Sequence, residues 1–205
     1  MRPRMAGLNE RRKQRTRRLI GDTARTLFTE HGFDRITVVQ IAEACEVSEK
    51  TIYNYFPTKA HLVFDDDETV LDGLVDALRQ RPPGQSALQA MRKALAEMAD
   101  RMGEGHPSDA RAAFRRMVNA SPTLLLHQQA MTVRYERALT EVLAEQAGGA
   151  APEPFIVAVA LVGALRAGFE TDPVEGGVAD AFSRALDLLE GGLAGYGSDH
   201  HGLPT

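Results

Sequence analysis

Apolar residues recur along this chain at helical spacing almost throughout, and no stretch keeps the two-residue alternation of a strand. Ile20, Ala24, Leu27 and Phe28 form the inner stripe of a first helix over residues 12–31, closed by His31-Gly32. Thr37 can cap a short second helix that turns Val38, Ile41, Ala42 and Cys45 inward, which makes Cys45 core filler rather than a nucleophile. Ser48 can cap a third short helix, which must end by Phe56 because Pro57 disfavours helical backbone in the residue before it. Thr58 then opens a fourth helix to about Gln80, broken by Arg81-Pro82-Pro83-Gly84. Five more helices are expected over residues 85–103, 107–119, 121–148, 153–170 and 177–195, parted by glycine and proline breaks such as Ser121-Pro122 and Gly148-Gly149. The expected class is all-α with about nine helices, divided into a three-helix unit over 10–57, a larger helical domain over 58–195 and a loose tail over 196–205.

Composition sets the outer bounds. With 205 residues, 43 % of them apolar and 25 % charged, the chain is neither disordered nor collagen-like. A chain of this length can bury roughly 70 % of its unfolded surface without help from metals or disulfides. A lone cysteine forms no internal bridge and fits a reducing compartment. The longest uncharged apolar run, Phe155–Leu165, has 11 residues; a membrane helix needs about 20, so no membrane partner is expected. The basic N-terminal region is followed by an amphipathic segment without the apolar core of a secretory signal, and a cytoplasmic location is expected.

Charge is unevenly spread. The net value of −4 combines 12 Lys/Arg against 7 Asp/Glu in residues 1–60 with 12 against 21 in residues 61–205. Arg11-Arg12-Lys13-Gln14-Arg15-Thr16-Arg17-Arg18 holds six positive charges in eight positions. Such a block is either a solvated arm or a patch for a polyanion. Enzyme signatures are missing: there is no G-x-S-x-G, no G-x4-G-K-[ST] and no H-E-x-x-H, and the histidines are scattered apart from His200-His201 in the tail. Neither a cofactor nor a metal site is expected.

The chemistry concentrates between Thr37 and Lys59. Two short helices joined by Glu46-Val47 have the proportions of a helix-turn-helix, whose second helix enters a DNA major groove. In Ser48–Phe56 only Ile52 and Phe56 are plainly apolar and can face inward, leaving Glu49, Lys50, Thr51, Tyr53, Asn54 and Tyr55 outside. Two tyrosines, an amide, a hydroxyl and a lysine are the groups that bond bases and phosphates. The bland alternative is that these long side chains only cover the three-helix core.

These residues resemble the DNA-binding domain of TetR-family transcriptional regulators. The resemblance rests on Thr37, Ile41, Ala42, Val47, Ser48, Thr51, Ile52, Tyr53, Tyr55, Phe56, Lys59 and Leu62, preceded by Ala24, Leu27, Phe28, His31, Gly32 and Phe33. It implies a dimeric repressor whose N-terminal domain grips a double-stranded operator and whose larger domain binds a small effector. It further implies a phosphate contact for Thr37, shared base and phosphate contacts for Ser48, Glu49, Lys50, Thr51 and Asn54, backbone contacts for Tyr53 and Tyr55, and a phosphate clamp at Lys59. Arg15, Arg17 and Arg18 then belong to an arm that reaches along the DNA. One position departs from the family: Glu46 stands where the turn normally has glycine, and a positive φ there would cost roughly 1 kcal/mol or reshape the turn.

The second half points to assembly and sensing. Phe155–Leu165 is apolar all round, so that helix must be covered on every side. Val159, Gly163, Ala164 and Ala167 with Phe182, Leu186 and Leu189 of the last helix are therefore expected to form half of an isologous four-helix interface, a plain core being the alternative. Met98, Phe114, Met117, Gln128, Met131, Tyr135 and Phe169 are candidates for an effector pocket, with core gap-filling the competing role for the methionines. Arg166, the one charge between Glu153 and Glu170, must pair internally or face an anion. Leu78–Leu95 and the pattern from Arg115 to Leu143 resemble the ligand domain of mycofactocin-system and acyl-CoA-responsive TetR regulators, which implies an acyl thioester or similar amphipathic anion as effector. The alternative from another class is a helical acyl-binding protein or enzyme that binds no operator.

Overall fold

The computed structural model describes residues 4–103, 108–147, 153–170 and 177–192. Among them it shows nine α-helices and one 3-10 turn, with no strand: α1 (Arg4–His31), α2 (Val38–Ala44), α3 (Glu49–Tyr55), the 3-10 turn (Lys59–Leu62), α4 (Asp67–Arg79), α5 (Ala87–Gly103), α6 (Ser108–Ala120), α7 (Pro122–Ala147), α8 (Glu153–Glu170) and α9 (Gly177–Gly191). The expected tail over 196–205, with His200-His201, lies outside the described residues.

Two compact units emerge, one of Met1–Glu68 with Ala113–Gln129 and one of Thr69–Ala112 with Ala130–Thr205. The sequence reading drew its line at 57/58 and gave everything beyond to the second domain. The difference has a packing cause. Phe64 is buried, meets Phe114 edge-on at 5.8 Å and stacks with His127 at 5.2 Å, so the start of α7 and the end of α6 complete the first unit. Ser121, buried at the N-terminus of α7, donates to Asp34 at 2.9 Å while its oxygen accepts from Leu124 N.

The expected continuous helix from Thr58 to Gln80 is broken. Lys59–Leu62 forms a 3-10 turn, and α4 begins only at Asp67. Asp65-Asp66-Asp67 explains the restart, since aspartate competes with helix interiors through its own side chain and is favoured at a helix N-terminus. The break turns Ala60, Leu62 and Phe64 inward onto the first unit.

In the second unit Leu74 and Leu78 of α4 join Met91, Leu95 and Met98 of α5, Tyr135, Leu139 and Val142 of α7, Leu161, Val162 and Leu165 of α8, and Phe182 and Leu186 of α9 in one apolar core. The α8–α9 contact depends on Gly168, where an added Cβ would lie 2.0 Å from Phe182 Cδ1 and Cε1. Across this unit Arg92 of α5 donates to Ser183 at 3.4 Å and pairs with Asp187 at 2.7 Å and Glu190 at 2.9 Å on α9.

Candidate nucleic-acid interface

Local capping builds the interface. Thr37 caps α2: its hydroxyl accepts from Gln40 N at 3.2 Å while Gln40 Oε1 accepts from Thr37 N at 2.8 Å. This reciprocal box satisfies two of the donors a helix start leaves open. Ser48 caps α3 by accepting from Thr51 N at 3.1 Å, and its hydroxyl lies 2.9 Å from that of Thr51.

Between the two helices the chain makes the tight turn expected of glycine, but with Glu46 in it. Glu46 has φ +54°, the one positive φ outside glycine among the described residues. Glu46 N donates to Glu43 O at 3.1 Å and Val47 N to Ala42 O at 2.9 Å. This pair of bonds is the Schellman ending, with Glu46 in the left-handed position. The turn is therefore kept, not reshaped, and carries the strain of a side chain at positive φ.

The turn presents α3 outward. Ile52 and Phe56 are buried, while Ser48, Glu49, Lys50, Tyr53 and Asn54 are exposed, Tyr53 by 49 %. Thr51 and Tyr55 are half-buried at the edges. The expected inward pair is buried, and of the expected outward set Glu49, Lys50, Tyr53 and Asn54 are exposed.

Lys59 sits in the 3-10 turn rather than on α4. Its ammonium donates to Phe33 O and lies 4.1 Å from the Phe33 ring centre and 5.7 Å from that of Phe28. Burial lowers its pKa below the ordinary lysine value, and the nearby Asp34 carboxylate opposes that shift. The aromatic faces and the carbonyl aim this lysine and hold its charge at one place beside Phe28 and Phe33.

The basic arm is the outer part of α1. Arg11, Arg12, Lys13, Arg15 and Arg18 are exposed. Arg17 behaves differently. Its guanidinium donates to Tyr55 O at 3.1 Å and to Asp65 O at 3.3 Å, pairs with the Asp65 carboxylate, and lies over the Phe56 ring at 4.8 Å. Asp65 is half-buried; burial raises its pKa, and Arg17 pulls it down. The sequence reading placed Arg17 in the arm without its partners; in the structure its guanidinium bonds the end of α3 and Asp65, a residue the sequence reading left out of the site. A signal existed: Arg17 precedes Ile20, Ala24 and Phe28 at helical spacing and so falls on the buried face of α1.

The remaining candidates divide. Met98 and Tyr135 are buried in the core of the second unit, with Met131 and Phe169 packed against it. Phe114, Met117 and Gln128 belong to the first unit, so the seven do not form one set within either unit. Arg166 is half-exposed and paired with Glu170 on the next turn at 2.8 Å, so its own charge is not buried within the protomer. Of the assembly candidates, Val159 and Gly163 face outward, Ala167 and Leu189 are half-buried, and Ala164, Phe182 and Leu186 are spent in the protomer's own core. The outward stripe of α8 is instead Phe155, Ile156, Val159 and Gly163. A shallow cleft of about 240 Å³ lies among Arg81, Ala87, Leu143, Gln146, Glu153, Pro154 and Val157, and none of the effector candidates lines it.

A capped helix-turn-helix with an exposed polar second helix and a basic first helix defines a DNA-reading module. Comparison with known proteins agrees. Residues 20–65 match the bacterial regulatory proteins of the tetR family, and residues 85–194 match the MftR C-terminal domain. The HTH-type transcriptional regulator TcmR of Streptomyces glaucescens is 32 % identical over 150 residues, covering 71 % of this chain and 66 % of that protein. The putative mycofactocin biosynthesis transcriptional regulator MftR of Mycobacterium tuberculosis is 25 % identical over 190 residues, covering 89 % of this chain and 93 % of that protein. In fold, NalD, the secondary repressor of the MexAB-OprM multidrug efflux pump in Pseudomonas aeruginosa, is similar with a TM-score of 0.56 at 18 % identity, over 87 % of this chain and 95 % of that one. The chain belongs to the TetR family of helix-turn-helix transcriptional regulators, with a C-terminal domain of the MftR type. Among the described residues no helix is long and apolar enough to cross a membrane.

Proposed function

We propose that the protein is a repressor that binds a pseudo-palindromic operator as a homodimer and leaves it when a small amphipathic effector binds. The observation that carries the reading is α3 itself, with Ile52 buried and Lys50, Tyr53 and Asn54 offered to a groove. Lys50 and Asn54 read base edges, Tyr53 and Lys59 hold phosphates, and Arg15 and Arg18 follow the backbone. Thr37 and Ser48 act first as helix caps, with their hydroxyls at the starts of α2 and α3.

The homodimer reading rests on the outward stripe of α8, where Phe155 and Ile156 are 55 % and 61 % exposed. A symmetric partner covers the same stripe with its own copy. The effector reading rests on the flexible Met98 and Met131 beside Tyr135 and Phe169 in the second unit, and on the resemblance to acyl-CoA-responsive regulators. An effector releases DNA only by binding the two conformations unequally, typically by 1–3 kcal/mol for coupled sites. Leu74 and Leu78 tie α4 to the same core, so repacking around Met98 moves α4. The test is fluorescence anisotropy of a bound operator duplex titrated with an acyl-CoA series, free CoA and free fatty acid. Release by the acyl-CoAs alone supports the effector class, and no release by any of them removes it.

A further inference from the structure

We infer that Arg17 and Asp65 together hold the recognition helix from behind, so that Asp65, an acidic group, is required for specific DNA binding. The inference rests on α3 being the DNA-reading helix. Tyr55 is the last residue of α3, and its carbonyl is one of those that a helix end leaves without an internal partner. Arg17 takes it at 3.1 Å. The same planar guanidinium bonds the Asp65 carboxylate and backbone carbonyl and covers the Phe56 ring, which closes the helix. Three elements therefore meet at one fork: α1, the C-terminal end of α3, and the segment that leads into α4. A lysine cannot reproduce this, because its ammonium lacks the fixed spread of donors.

Asp65 has no part in holding phosphate, and its charge repels DNA. A purely electrostatic account thus predicts that removing the charge tightens binding to every duplex. Positioning predicts the opposite sign for the operator. With the carboxylate replaced by an amide, the guanidinium loses its charged partner and keeps only Tyr55 O, the backbone carbonyl of residue 65 and the Phe56 face, so the end of α3 gains freedom and base contacts that need fixed geometry suffer. Contacts with phosphates, made by mobile side chains, survive.

The experiment compares wild type, Asp65→Asn and Arg17→Lys in the full chain, on the operator selected from random duplexes and on a scrambled duplex, across a salt series. Expected for Asp65→Asn is about tenfold weaker operator binding, scrambled-duplex binding within about twofold, and a log–log salt slope that stays put, since no phosphate contact is lost. Arg17→Lys should lose operator affinity in the same way with the same slope. Melting curves on all three separate misfolding, which would depress both duplexes together. Asp65→Asn binding the operator as tightly as wild type or more tightly overturns the inference. So does wild-type operator affinity in Arg17→Lys. Wild type that fails to prefer its selected operator over the scrambled duplex instead overturns the DNA-reading role on which the inference stands.

Discussion

Replacing Glu46 with glycine should stabilise the protein without changing what it binds. The residue sits at φ +54° with both bonds of the helix ending formed, so the backbone already has the shape glycine prefers. An L side chain in that region costs about 1–2 kcal/mol. Glycine gives back about 0.4–1 kcal/mol through the greater freedom of the unfolded chain. The net gain is then about 0.5–1 kcal/mol, or about 1–4 °C in melting temperature for a chain of this length. Glu46→Ala keeps the Cβ and should gain nothing. The chain supplies its own converse in Gly32, which ends α1 at φ +86°, with its amide donating to Phe28 O at 2.9 Å and nothing within 4 Å of an added Cβ. Gly32→Ala therefore brings strain without a clash and should lose about 1 kcal/mol. Urea and thermal unfolding of the three variants, with operator affinity measured beside them, give the comparison. If Glu46→Gly is no more stable than wild type while Gly32→Ala is weakened, the reasoning fails.

Three further outcomes follow from the packing and the charges. Lys59 has a lowered pKa, so between that value and the ordinary 10.5 the folded chain binds fewer protons than the unfolded one; this group's contribution to stability rises with pH in that window while its charge is lost. Operator affinity should accordingly fall as pH climbs through the lowered value, ahead of 10.5, and Lys59→Arg should remove that fall in a pH titration by anisotropy. Gly168→Ala places a Cβ 2.0 Å from the Phe182 ring and should cost about 1–3 kcal/mol in denaturant unfolding, whereas Gly163→Ala meets nothing within 4 Å in the protomer. Ile156→Asp or Val159→Asp, on the exposed stripe of α8, should leave the protomer folded by circular dichroism yet monomeric by sedimentation, with operator binding lost; an intact dimer would move the interface elsewhere.

How much of this was legible in the sequence depended on whether a residue's role was local. Thr37 and Ser48 read correctly as caps because capping is decided within four residues. The break at Lys59–Leu62 was not legible, since an apolar run such as Leu62-Val63-Phe64 continues a helical pattern until the tertiary core claims it. The internal bonds of Arg17 were not legible, because a run of six positive charges does not say which guanidinium turns inward. The apolar circumference of α8 hid the distinction between Ala164, buried in the protomer, and Val159, facing out. Phe182 and Leu186, expected at a partner interface with a plain core as the alternative, lie in the protomer's core, where Gly168 makes room for the Phe182 ring. The pairing of Arg166 with Glu170 was open to view at one helical turn's spacing, yet the surrounding apolar run suggested burial.

The central claim, that α3 reads DNA sequence, is tested most directly by selecting duplexes from a random pool with wild type and with Lys50→Ala in parallel. The account predicts that wild type enriches a pseudo-palindrome whose half-site centres lie about 10–10.5 base pairs, or a multiple of that, apart. Lys50→Ala should enrich the same spacing with altered base preference within each half-site, because it removes a base contact rather than a phosphate contact. Enrichment of no sequence by the wild-type protein, or the same base preference from both proteins, would contradict it.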